Sequence, residues 1–399
     1  MSRLLPPGQL WLYRTKPKED ELFSSWIVRL AHGNEVKLHT FSKRIVGLSQ
    51  LAWTHDLDRN LEPQAVTNLS TGTAVPEHRI QQMSLSAYVG TLWAEYFPVG
   101  PLNWIIPSAR LGFVRARHHA MQYCRQCLCE DEEPYFRRRW RLAFNVVCGR
   151  HRVWLQDECP HCGAPVEFHT HDYGRRLLTL QSQITVCAYC EKDFRETGPA
   201  GDEAAPDVLL GFQSAMSQAL DDGYNPKLPG GENYSFLAFE GIRIIVLMLC
   251  SKGPGGLLRY FLDGKIESEN YDTAGGAQRG RFEFFRNRVR GKVLEQCHWL
   301  VEDWPDRFVQ ACHEMRVTSS AVETHHATIP CWLEQELRSS LFGKFYSPSQ
   351  EERKSVEQWI ERNGGVVSNN AVRRLLGMSH TSKVKSADGI WFFRRKPRG

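Results

Sequence analysis

The chain has 399 residues, 42% of them hydrophobic and 24% charged, enough apolar material for an ample core and too little charge for a disordered polypeptide. Its longest apolar run, residues 244–250, falls far short of the roughly 20 residues that a membrane span requires. The opening Met-Ser-Arg-Leu-Leu-Pro-Pro-Gly lacks the apolar core of a secretory signal, so a soluble, cytoplasmic protein without membrane contact is expected. The formal charge of +5 suggests polyanion binding only weakly, for reasons the cysteines supply.

Residues 19–33 carry acids at the start, apolar Leu22, Phe23, Trp26, Ile27 and Leu30 at helical spacing, and Gly33 at the end. The pattern predicts an amphipathic helix. A second helix is expected over 39–46, stopped by Gly47, and a third over about 85–97 before Pro98. Two short helices joined by a Gly-Asn turn permit a helix-turn-helix-like domain over residues 1–121.

Four ligand pairs come next along the chain: Cys124-x-x-Cys127, Cys148-x-x-His151, Cys159-x-x-Cys162 and Cys187-x-x-Cys190. A two-residue gap lets a tight turn aim both side chains at one ion, and two pairs complete the tetrahedron that Zn²⁺ prefers. The expectation is two structural Zn²⁺ per chain in a tandem zinc-binding domain over 122–195. Sequential pairing is favoured, because seven residues separate His151 from Cys159, longer than the short step of a cross-braced, RING-like arrangement. Cys129 is left over and expected to pack. Seven thiolates on two dications remove three positive charges and take the chain from +5 to +2, so local clustering matters more than the total. Candidate nucleic-acid or partner-binding residues are Arg137, Arg138 and Arg139 inside the first zinc module, Arg286, Arg288 and Arg290, and, near the C-terminus, Arg373, Arg374, Lys383 and Lys385.

Residues 196–206 have the small, acidic composition of a linker. A helical domain is expected over 207–345, broken by Pro/Gly-rich loops at 225–231 and 251–256. Residues 346–399 read as a C-terminal helix-turn-helix-like segment with a basic tail. Helix, turn at Gly377 and second helix would present His380, Thr381, Lys383 and Lys385. The expected fold class is therefore mainly α, with two small zinc-ribbon or knuckle modules between N-terminal helix-turn-helix-like and C-terminal helical domains. No catalytic residue is predicted, since the chain lacks H-E-x-x-H, G-x-S-x-G and a phosphate-binding G-x-x-x-x-G-K-[ST], and both metal sites are filled by protein ligands.

The run from Gln122 through Cys124, Cys127, Asp131, Tyr135, Trp140, Phe144, Cys148 and His151 to Leu155, Asp157, Cys159 and Cys162 resembles the TniQ family. So do Asp20-Glu21-Leu22-Phe23 with Trp26, Arg29 and Ala31, and Trp304-Pro305 with Phe308. Arg125 departs from the proline usual after the first cysteine. The resemblance implies a non-enzymatic transposition target-selection adaptor, similar to those of CRISPR-associated transposons. Such proteins link an RNA-guided Cascade-type complex to the AAA+ regulator TnsC, often as homodimers. Two alternatives are a TnsD-like protein that reads attachment-site DNA directly and a RING-like zinc ligase.

Overall fold

The computed structural model describes residues 9–49, 52–53, 56–97, 103–108, 121–170, 183–198, 201–251, 256, 258, 262, 282–319, 322, 329–341, 348–376, 383–385 and 391–393. These residues are mainly helical, with two small antiparallel strand pairs. Among them, no helix is long and apolar enough to cross a membrane.

Helix α1 (Phe23–Gly33) differs from the amphipathic helix expected. Every residue from Phe23 to Ala31 is buried, including Ser24, Ser25 and Arg29. Buried polar groups are tolerated when they are paired, and these are. Ser24 donates its hydroxyl to Asp58 Oδ2 at 2.9 Å, and Ser25 donates to Glu21 Oε1 at 3.0 Å. Arg29 reaches both oxygens of Glu21 at 2.8 and 2.7 Å and Glu133 Oε2 at 2.6 Å. The backbone joins in: Leu22 N–H donates to Phe136 O at 2.9 Å and Arg138 N–H to Asp20 O at 2.6 Å. The first helix is thus stitched along its length to residues 133–138, which lie between the first and second ligand pairs.

Helix α2 (Leu38–Thr40) runs into a π-helical turn, Phe41–Val46, which ends where Gly47 takes φ 83°. After it come α3 (Pro63–Thr73), which starts on proline as helices permit, and α4 (Glu77–Gln81). The third helix predicted over 85–97 is shorter. A 3₁₀ turn at Leu85–Tyr88 gives way to the bridge Val89↔Trp93, since Gly90 at φ 89° breaks helical continuity. Next are α5 (Arg125–Glu130), a 3₁₀ turn at Arg138–Arg141, and the hairpin β1 (Val147–Cys148) with β2 (Val153–Trp154), in register Val147↔Trp154 and Cys148↔Val153.

Residues 201–206 lie against β2 rather than spanning free space. Trp154 N–H donates to Glu203 O at 3.0 Å and Ala205 N–H to Arg152 O at 2.8 Å. Beyond them pack α6 (Asp207–Asp222), α7 (Ser235–Cys250), α8 (Asn287–Glu302), α9 (Asp306–Glu314) and α10 (Cys331–Ser340). The buried apolar side chains form one continuous cluster from Trp11 to Leu341. At its centre the Trp104 ring meets Phe144, Phe239 and Phe282 edge-on at centroid distances of 5.7, 6.2 and 5.7 Å, so the N-terminal, metal-ligand and helical segments share this cluster.

Helices α11 (Gln350–Arg362) and α12 (Asn369–Leu375) form a separate small cluster around Ile360, Ala371, Val372 and Leu375. Each is held by a serine cap, α11 through a full Ser349/Glu352 capping box. Lys383 and Lys385, expected on a second helix after α12, are instead on a strand. Residues 383–385 are β3, paired antiparallel with β4 (Trp391–Phe393). Lys-Val-Lys alternates polar and apolar with period 2, and the β-branched Val384 and the aromatic Trp391, Phe392 and Phe393 favour a strand. Gly377, His380, Thr381 and the terminal arginines lie outside the described residues.

Candidate metal centres and their surroundings

The ligand pairs combine in chain order. Cys124, Cys127, Cys148 and His151 form one group and Cys159, Cys162, Cys187 and Cys190 a second, with the ligand atoms of each lying within 4.8 Å of one another. The cross-braced alternative is excluded by this geometry, and the RING-like ligase reading loses its structural basis.

In the first group Cys124 caps α5 and Cys127 lies within it, while Cys148 ends β1 and His151 sits in the hairpin turn. Arg152, at φ 55°, closes that turn by donating its N–H to Cys148 O at 2.7 Å. His151 presents Nδ1 to all three sulfurs at 3.3, 3.3 and 3.5 Å, and Cys127 Sγ lies 3.7 Å from Cys148 Sγ. With Zn–S near 2.3 Å and Zn–N near 2.0–2.1 Å, tetrahedral edges are about 3.8 Å between sulfurs and about 3.5 Å between sulfur and nitrogen. The observed edges fit. His151 Nε2, buried on the side away from the sulfurs, lies 3.0 Å from Glu130 Oε1 but outside hydrogen-bonding alignment. Such a carboxylate favours the tautomer that leaves Nδ1 free to bind metal.

The second group is built from two similar turns. After Cys159, Gly163 at φ 66° donates its N–H to Cys159 O at 2.9 Å. After Cys187, Glu191 at φ 63° does the same at 3.0 Å. The sulfur pairs Cys159–Cys190 and Cys162–Cys187 stand 3.6 and 3.8 Å apart, again tetrahedral edges. Both donor sets are closed and thiolate-rich, which suits Zn²⁺ in a structural role and leaves no coordination position for a reacting water. Cys129 is exposed rather than packed, with its sulfur 3.7 Å from Arg125 Nη1 and 3.6 Å from Arg195 O. Arg125, in the place of the family's proline, holds its knuckle by other means: Nε bonds both oxygens of Asp202 at 2.9 and 3.0 Å. That bidentate contact is also what docks residues 201–206 onto α5.

Half of the predicted basic residues face acids. Arg137 pairs with Asp131 at 2.8 Å and lies over the rings of Tyr135 and Trp140. Arg138 lies 3.4 Å from Asp20 and over the Tyr88 ring, and Arg139 bridges Asp20 and Asp221. Arg286 pairs with Glu158 at 2.9 Å, and Arg288 with Glu203 at 2.8 Å while covering the Trp154 ring. Arg290, 1% exposed, points inward and donates to Ala143 O, Gln122 Oε1 and Phe285 O. It packs the interior and presents nothing to a ligand. Arg373 is exposed on α12 and Arg374 half-buried; Lys383 and Lys385 are on β3.

One polar centre was not visible in the sequence. Arg141, within the Arg-rich run, is buried with Asp56 (Nη2–Oδ2 2.6 Å) and Asp58 (Nη1–Oδ2 3.1 Å). It also donates to Ile106 O through Nε at 3.2 Å and Nη2 at 2.9 Å. Burial pushes the Asp58 carboxyl up to about 6, against the pull of Arg141, and the neighbouring Asp56 charge adds to the rise. The acids of Asp56-Leu57-Asp58 and the distant arginine run were the only signals, and residues about 85 apart in sequence carry no spacing rule.

A search of curated proteins finds no match. The TniQ family model matches residues 12–155, a segment that runs from α1 through the β1–β2 hairpin and contains the whole first ligand group, the Glu21–Arg29–Glu133 ties and the Arg141 centre, but ends before the second group. By that match the N-terminal part of the chain, residues 12–155, is similar to the TniQ family.

Proposed function

We propose that the chain is a non-catalytic target-selection adaptor that holds two structural Zn²⁺ ions and joins a targeting component to a TnsC-like AAA+ regulator. The TniQ match over residues 12–155 carries this reading. The geometry supports it, because the matched segment is cross-tied by buried ion pairs and closed knuckles and so offers preformed docking surfaces, which lower the ordering cost of assembly. Cys124, Cys127, Cys148 and His151 hold the first ion, and Cys159, Cys162, Cys187 and Cys190 the second. Each site contributes ~10–16 kcal/mol to folding if it behaves as zinc-finger sites do. The targeting component in this reading is an RNA-guided complex of the Cascade type, which the adaptor engages as a homodimer in the cytoplasm. The test is co-purification: tagged chain expressed with the neighbouring transposon and CRISPR genes should retain both the ATPase and the RNA-guided complex. Retention of neither, with zinc-loaded folded protein, contradicts the reading.

A further inference from the structure

We propose that Cys162 of the second metal centre is an oxidation site, where a peroxide forms a Cys162–Cys187 disulfide and expels that zinc ion while the first centre keeps its own. The inference rests on the zinc reading of both ligand groups and adds a reactivity that the two do not share. Susceptibility of a thiolate to oxidation follows its nucleophilic character and its exposure. The two centres differ in both. In the first, Cys124, Cys127 and Cys148 are only 0%, 4% and 7% exposed, and the fourth ligand, His151, offers a peroxide no sulfur. In the second, Cys162 is exposed and Cys190 half-buried, while Cys159 and Cys187 are interior. A dication with three thiolates carries a net −1 and one with four thiolates −2, so the second centre is also the more electron-rich.

The step balances with two thiolates and one peroxide. The Cys162 sulfur attacks a peroxide oxygen; the S–O bond forms as the O–O bond breaks, hydroxide leaves, and sulfur is oxidised by two electrons to a sulfenic acid. Cys187 Sγ, 3.8 Å from Cys162 Sγ, then displaces the sulfenic oxygen as a second hydroxide and closes the disulfide. Cys159 and Cys190 remain as two ligands where Zn²⁺ prefers four, which releases the ion. The consequence reaches the neighbours of the first centre without touching its ligands. The second module packs on residues 12–155 through Phe168, stacked on Phe136 at a centroid distance of 4.3 Å, and through Phe194, 5.1 Å from the Tyr123 ring. Oxidation therefore loosens that packing and leaves the TniQ-like segment with its own ion.

The test treats the zinc-loaded full chain with hydrogen peroxide, follows released zinc with a chromogenic chelator, and maps thiols by differential alkylation and mass spectrometry. One of the two zinc equivalents should leave first, with Cys162 and Cys187 linked as a disulfide while Cys124, Cys127 and Cys148 are still alkylated after denaturation. A dithiol reductant with added zinc should restore the lost equivalent. Cys129→Ser removes an exposed thiol that is not a ligand, 3.6 Å from Arg195 O, and should leave the release unchanged. Three results overturn the proposal: simultaneous loss or joint retention of both ions, a first disulfide other than Cys162–Cys187, or protection by Cys129→Ser, which would place the first oxidation on Cys129. Elemental analysis of the untreated chain keeps the two readings apart. Fewer than two zinc ions there refutes the zinc assignment itself, whereas two ions that respond alike to peroxide refute only the proposal.

Discussion

Replacing Arg141 by methionine probes the contact that ties residues 56–58 to the first metal module. The guanidinium is buried and makes its bonds to Asp56, Asp58 and Ile106 O. Methionine fills much of the same volume but donates nothing. Asp58 keeps the Ser24 N–H at 2.7 Å and hydroxyl at 2.9 Å, whereas Asp56 loses its cation and Ile106 O both donors. Breaking a buried pair from one side costs about 3–5 kcal/mol, and an orphaned buried carbonyl adds about 1–3 kcal/mol. The sum is a large share of the roughly 5–15 kcal/mol by which domains are stable. Urea unfolding of the zinc-loaded chain at neutral pH should show this loss. The triple variant D56N/D58N/R141M should recover much of it, because no buried charge is left without a partner. A loss below about 1 kcal/mol for Arg141→Met, or a triple variant no better than the single, would refute the reasoning. The pH dependence has a definite sign. Asp58 titrates near 6, above its ordinary range, so its contribution is present below that range and is lost as pH rises through about 6. Wild-type stability from this group therefore increases as pH is lowered from about 7 to about 5.

The same contacts set further expectations. Elemental analysis should find two zinc ions per chain, and Cys148→Ser should lose one of them together with the native fold of residues 12–155, because ~10–16 kcal/mol per site exceeds what most domains hold in reserve; a folded variant with both ions would contradict this. Glu133 is held down at about 2 by Lys18 first, with Tyr13 and Arg29 beside it. Its contribution is fully present above the ordinary glutamate range, so the deficit of Glu133→Gln should be equal in melts of the zinc-loaded chain at pH 6 and pH 7, and no deficit at either pH would contradict the reading. Gly72→Ala would place a methyl 2.1 Å from Trp11 Cε2, and displacing that buried ring should cost about 1–3 kcal/mol by thermal melting.

The parts of this molecule that could be read from its sequence are those governed by short spacing. The four ligand pairs announce themselves because a two-residue gap has a chemical meaning, and their order separates sequential from cross-braced pairing once the step from His151 to Cys159 is considered. Helices ended by Gly33 and Gly47 were legible for the same local reason. What escaped depends on distant partners. An arginine run looks alike whether solvated or paired, and only the fold reveals that Arg137, Arg138 and Arg139 answer Asp131, Asp20 and Asp221, or that Arg141 is interior. Helix α1 has an apolar stripe in sequence yet is buried all round, because Ser24, Ser25 and Arg29 find acids at positions 58, 21 and 133. Residues 383–385 form a strand because their partner, residues 391–393, supplies a pairing that local helix signals do not register.

The adaptor account is tested most directly by reconstituted transposition with the AAA+ regulator, the transposase and the RNA-guided complex, with insertion sites mapped by sequencing. Omitting this chain should abolish insertion beside the guide-matched target while the RNA-guided complex still binds that target and the regulator still hydrolyses ATP. Unchanged insertion beside the target without the chain would contradict the account.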